Sequence, residues 1–123
     1  MKNIVFLILD EFADWETAFL SSALNDKNIT QNYSVSYAST DKDIKVSMGN
    51  LKMIPDITLE EITEDNTDGL ILIGGKTWRN QSFETNYTII ELVKKFKNTN
   101  DVCKALCYNN YASDTTQVTS GLE

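Results

Sequence analysis

The sequence predicts an α/β domain built on an open, mostly parallel sheet with helices on both faces. Two apolar runs, residues 3–9 and 69–73, are continuous rather than alternating, as in central parallel strands covered on both sides. Segments with helical spacing of apolar residues follow each of them, so strands alternate with helices in the βαβ manner. In such sheets ligands bind beyond the carboxyl ends of the strands. Those ends are therefore the places to look for function.

Taken in order, the first strand covers residues 3–9 and runs into Asp10, Glu11, Asp14 and Glu16, four acids within seven positions. A helix follows from Asp14, with Trp15, Ala18, Phe19, Ala23 and Leu24 as its apolar positions and Asp14 as N-cap, stopping near Asn25. The alternating, β-branched segment 33–39 predicts a second strand. Residues 44–56 predict a small hairpin around Gly49-Asn50, ended by Pro55, and Thr58 with Glu61 three residues on is a capping box opening a short helix through Ile62. The strand 69–73 leads directly into Gly74-Gly75. A helix at 87–96 carries Tyr87, Ile89, Ile90, Val93 and Phe96 on its apolar positions and lysines in its last turns, at the negative end of the helix dipole. Residues 102–107 predict a further strand, and the polar remainder shows no clear periodicity.

Composition narrows the function classes. The chain has 123 residues, 41% of them hydrophobic, enough for one domain over residues 1–123 with a core. Its net charge of -7 opposes binding to nucleic-acid phosphates or an anionic membrane, so neither is an expected partner. The longest apolar runs fall far short of the roughly 18 residues that span a bilayer, and no basic leader precedes the first, so a cytoplasmic location is expected. Cys103 and Cys107 are too few for a disulfide framework. Without any histidine, neither a Cys-His or Ser-His pair nor a histidine metal site can form within this sequence; no metal or cofactor is expected.

Three strand ends are candidate sites: Asp10 to Glu16, Gly74-Gly75, and Cys107. Each has a structural explanation beside the chemical one. Acids in a first helical turn are favoured by the dipole, which accounts for Glu16, while Asp10, Glu11 and Asp14 read as solvated loop and cap. Paired glycines make a tight strand exit, and they also let backbone N–H groups approach a developing oxyanion. A free cysteine is usually a small buried hydrophobe, but at a strand end facing a helix its thiol can be activated as a nucleophile. Trp78 in GGKTWRN lines a pocket or simply packs. Nucleotide binding has no support, because both GxGxxG and Walker loops are missing.

With these strand ends in view, the chain resembles the ThiJ/PfpI family, the group within the class I glutamine amidotransferase-like superfamily that includes the parkinsonism-associated protein deglycase. The resemblance rests on VFLILDEFADWET, VSMGNLKMIPDITLEEI, DGLILIGGKTW and a cysteine 32 residues after Gly75. It implies a flavodoxin-like fold, with Cys107 as catalytic nucleophile and Glu16 within hydrogen-bonding distance of its sulfur. A neutral Glu16 carboxyl would donate to the thiolate, which requires desolvation of the acid. The N–H groups of Gly75 and Tyr108 would form the oxyanion hole. The implied activities are cysteine-dependent hydrolase or amidase and glyoxalase-like or deglycase chemistry on a small aldehyde or amide, or redox sensing.

The sequence departs from the family pattern after Cys107. Bulky Tyr108 stands where a small turn is usual, no histidine is available near the thiol, and NNYASDTTQVTSGLE resembles a later family segment. A chain truncated or internally deleted on its C-terminal side would read this way, and the family nucleophile would then lie outside it. The alternative function is a non-catalytic module that binds a small molecule or partner, or senses oxidants through Cys107. A homodimer that covers exposed apolar faces is also expected. A receiver-type signalling domain is excluded, since Gly74 occupies the place of its phosphate-accepting aspartate.

Overall fold

The structure, a computed structural model, describes residues 1–97. Six strands and two helices follow one another: β1 (Lys2–Leu7), α1 (Asp14–Asn25), β2 (Tyr33–Ser39), β3 (Lys45–Val46), β4 (Lys52–Met53), β5 (Ile57–Thr58), β6 (Gly69–Leu72) and α2 (Phe83–Lys97). Single 3-10 turns cover Leu59–Glu61 and Lys76–Asn80. Four strands form one sheet in the order β5-β2-β1-β6, all pairings parallel, while β3 and β4 make a separate antiparallel hairpin. This is the open parallel α/β sheet that the continuous apolar runs imply, and it agrees with the flavodoxin-like fold that the family resemblance implies.

The register explains why those runs are continuous. Val5, Leu7 and Leu9 point to one face, where Ile89, Leu92, Val93 and Phe96 of α2 cover them; Phe6 and Ile8 point to the other, toward Leu20 of α1 and Met53 of the hairpin. Both faces of β1 and β6 are thus buried, and alternation would have failed. From β1 the chain moves outward through β2 to β5, then returns to place β6 on the other side of β1. Such a change of direction opens a crevice at the carboxyl ends of the central strands.

Some elements differ from the sequence expectation. Within α1, Trp15 and Phe19 are 53% and 83% exposed, whereas Thr17 is buried and Leu20 packs on the sheet. Periodicity finds an amphipathic helix but does not fix its rotation; here the face carrying Glu16, Thr17 and Leu20 turns inward. Helix α2 starts at Phe83, and Tyr87 lies on its exposed side, stacked against Phe83 at 6.4 Å between ring centroids. At the hairpin turn only Asn50 takes a positive φ, 67°. The acid of the capping box is in place, with the Glu61 carboxylate accepting the Thr58 N–H at 2.9 Å, but it opens one 3-10 turn that stops at Ile62. The strand expected at 102–107 lies outside the described residues.

Candidate functional site at the ends of the central strands

Beyond Leu7 the chain keeps pairing: Ile8 N–H donates to Ala38 O at 2.9 Å and Ile73 N–H to Leu7 O at 3.0 Å. The segment after β1 then folds back against the glycine pair. Phe12 and Gly75 form an isolated antiparallel bridge, closed by Ala13 N–H to Gly74 O at 2.9 Å and Lys76 N–H to Glu11 O at 3.2 Å. In this arrangement the two facing residues turn their own N–H and C=O groups away from each other. Accordingly Phe12 O accepts the Met48 N–H of the hairpin at 2.9 Å, and the Gly75 N–H is directed away from Phe12.

Gly75 is required for space rather than for its backbone angles. Its φ of 178° is extended, open to any residue. A Cβ there, however, would lie 2.8 Å from Glu11 O and 2.9 Å from the Phe12 Cα, both backbone atoms. The glycine lets the two segments touch.

Glu16, in the first turn of α1, is half-buried, and its Oε1 accepts the Gly74 N–H at 3.2 Å. The structure therefore brings Glu16 and the Gly74-Gly75 pair together at the carboxyl ends of β1 and β6, although they are separated by 58 residues in sequence. Cys103, Cys107 and Tyr108 lie outside the described residues.

The neighbouring acids have a different job from the one expected. Asp14 does not cap α1, whose N-cap is Ala13; instead its Oδ2 accepts Ser47 Oγ–H at 2.6 Å and its Oδ1 accepts Gly49 N–H at 2.9 Å. Burial raises the Asp14 pKa, but these hydrogen bonds to the ionised form outweigh it and hold the carboxyl below its ordinary value. Asp10 Oδ1 accepts Val46 N–H at 3.1 Å, its carbonyl accepts Thr77 Oγ–H, and Glu11 N–H donates to Val46 O at 2.7 Å. Glu11 itself takes a φ of 58°, uncommon for a residue with a Cβ. Three of the four acids thus latch the hairpin onto the segment that supports Gly75, and only Glu16 is aimed at the glycines. These contacts span 33 to 36 residues, so no local spacing announces them.

Trp78 is a core residue. It is 1% exposed, packs among Leu7, Leu72 and Ile89, and its Nε1–H donates to Ile73 O at 2.7 Å, tying the Lys76–Asn80 turn under the strand end. Among the described residues no group of three histidine, cysteine or acidic side chains is arranged to hold a metal ion. Nor is any described helix long and apolar enough to cross a membrane.

The family model for the DJ-1/PfpI family matches residues 2–120. The chain belongs to the DJ-1/PfpI family. Among curated relatives, "Uncharacterized protease YdeA" of Bacillus subtilis is 35% identical over 107 residues, covering 87% of this chain and 50% of that protein. "Uncharacterized protease YoaZ" of the same organism is 30% identical over 81 residues, or 63% of this chain and 39% of its own. Of the solved structures, a DJ-1 superfamily protein from Agrobacterium tumefaciens superposes with a TM-score of 0.69 at 29% identity, covering 81% of this chain and 50% of that one. A thiJ/pfpI family protein from Bacillus anthracis gives 0.66 at 29% identity, with coverages of 79% and 46%. The chain spans about half the length of the curated relatives it matches.

Proposed function

We propose that this chain supplies the glutamate and glycine side of a cysteine-dependent site of the hydrolase, amidase or glyoxalase type, acting on a small aldehyde or amide. The observation that carries the reading is the Glu16 carboxyl, held half-buried at the carboxyl ends of β1 and β6 by the Gly74 N–H. A protonated carboxyl at this position would offer one O–H donor to a neighbouring sulfur. Set against a cysteine sulfur, that donor stabilises the thiolate, which is the nucleophilic form. Thiolate attack on a carbonyl carbon creates a negative oxygen, and the Gly75 N–H, directed away from Phe12, is the group to receive it. Two relatives bear protease names, which agrees with acyl chemistry.

Cys107 is the candidate nucleophile within this sequence, and Tyr108 N–H the second oxyanion donor. The test is the pH dependence of alkylation at Cys107 by mass spectrometry, with Cys103 as internal control and Glu16→Gln as variant. A Cys107 rate that plateaus well below the free thiol pKa of about 8.5, and returns toward it in Glu16→Gln, supports the proposal. Slow alkylation of both cysteines in both proteins refutes Cys107 as nucleophile and leaves the reading as a non-catalytic binding module. A homodimer belongs to the same proposal, supported by the outward-facing Trp15 and Phe19 of α1. Sedimentation showing a monodisperse monomer removes it.

A further inference from the structure

A second cleft opens at the carboxyl ends of β1 and β2, and it shares no lining side chain with the contact between Glu16 and the glycine pair. Its volume is about 190 Å³, and its polar walls include Asp10, Asp41, Lys45, Thr77, Asn80 and Gln81. The Lys45 side chain reaches into this region from β3 and is 6% exposed, the one charged side chain among the buried residues described. Its ammonium donates to Asp41 Oδ1 at 2.5 Å. Asp41 is its partner among the described residues, so two of its three N–H donors are unengaged there. Burying an ammonium costs free energy that further acceptors offset.

The arrangement of charge limits what can enter. The ammonium is buried, while the two carboxylates, Asp10 and Asp41, are exposed at the mouth. Asp41 keeps Oδ2 and Asp10 keeps Oδ2 outside the hydrogen bonds that hold them to Lys45, Asp43 and Val46. One ammonium against two carboxylates leaves the cleft with a net charge of about -1 if all three are ionised. A simple anion would meet the ammonium but be repelled by the acids, and a simple cation would meet the reverse. A molecule that leads with an acceptor oxygen and trails a positive group satisfies both.

We propose that this cleft binds a small zwitterionic α-amino acid, its carboxylate accepting from Lys45 Nζ and its ammonium held between Asp10 and Asp41. The proposal does not rest on any chemistry at Glu16. The experiment is a titration of the full, isotopically labelled chain with glycine and L-serine, followed by the backbone amide shifts of residues 40–46 and 77–81. Sodium lactate supplies the carboxylate without the ammonium, ethanolamine the ammonium without the carboxylate, and glycerol neither charge. Saturable shifts with the amino acids, much weaker ones with the three controls, and their loss in Lys45→Met support the site. Asp10→Asn keeps an Oδ1 acceptor for Val46 N–H while removing the charge, and should weaken binding roughly two- to fivefold, the scale of one exposed ion pair. This variant decides the matter if Lys45→Met fails to fold. Equal binding of lactate, ethanolamine or glycerol overturns the proposal, as does the absence of saturable shifts with either amino acid.

Discussion

Replacing Gly75 with alanine tests the construction of the site directly. The new methyl carbon would sit 2.8 Å from Glu11 O and 2.9 Å from Phe12 Cα, several tenths of an ångström inside ordinary contact. Neither atom can swing aside, because both belong to backbone clamped by the Ala13 to Gly74 and Lys76 to Glu11 hydrogen bonds. Relief requires the two segments to separate. Overpacking of this kind costs about 1–3 kcal/mol, and stretching two ladder hydrogen bonds adds a part of about 0.5–1.5 kcal/mol each, so the expected loss is about 2–4 kcal/mol. Gly69→Ala is the control. There the added Cβ would meet only Ile4 Cδ1, at 2.9 Å, the tip of a side chain that can change rotamer, so a loss near 1 kcal/mol or below is expected. Urea unfolding of the three proteins, compared at equal m-value, gives the difference. If Gly75→Ala costs no more than Gly69→Ala, the bridge between Phe12 and Gly75 is not a rigid wall, and the oxyanion role assigned to Gly75 loses its structural basis.

Other outcomes follow from the same contacts. Asp14→Ala removes the acceptors of Ser47 Oγ–H and Gly49 N–H, and should cost about 1–3 kcal/mol by urea unfolding while raising amide exchange at Met48 and Gly49. The folded pKa of Asp14 is depressed, so its contribution is fully present above the ordinary value of 3.8 and is lost as pH falls through the lower folded value. The stability difference between the native protein and Asp14→Asn should therefore shrink below about pH 4. Asp41, depressed by its hydrogen bond from Lys45, loses its contribution over the same acid range, and Lys45→Met should flatten that part of the acid unfolding curve. Trp78→Phe leaves the Ile73 carbonyl without its donor and a small void behind it, for an expected loss of about 2–3 kcal/mol in the same assay.

What the sequence revealed, and what it hid, divides by range. Runs such as FLIL and GLILI declare a doubly covered parallel sheet because burial on both faces leaves no room for a polar position. The rotation of α1 was illegible for the opposite reason. Trp15 and Phe19 are the largest apolar residues of that helix, yet inward placement belongs to the face with Glu16 and Leu20, which the strand ends hold through Gly74 and the sheet. β5 has no signature in the sequence because two residues, Ile57 and Thr58, carry no period. The latch of Asp10 and Asp14 on the hairpin was hidden by its sequence separation.

The acidic run after β1 makes sense only once those distant contacts are seen. A chain that must turn sharply at Glu11, cross to Gly75 and start a helix within seven residues has few main-chain partners of its own. The hairpin supplies them, and the acidic run grips its N–H groups through the Asp10 and Asp14 carboxylates, because an ionised acceptor holds a backbone N–H more strongly than a neutral one. Fixing Asp10 and Asp14 on either side of Phe12 in turn fixes the backbone against which Gly75 rests, and with it the Gly74 N–H that orients Glu16. Charge beside a buried strand is therefore divided by contact: Asp10 and Asp14 hold the hairpin, and Glu16 turns inward to the Gly74 N–H. Neutralising Asp14 should then disturb the hydrogen exchange of Gly74 as well as that of Gly49. An effect confined to the hairpin would show that the wall stands without its latch.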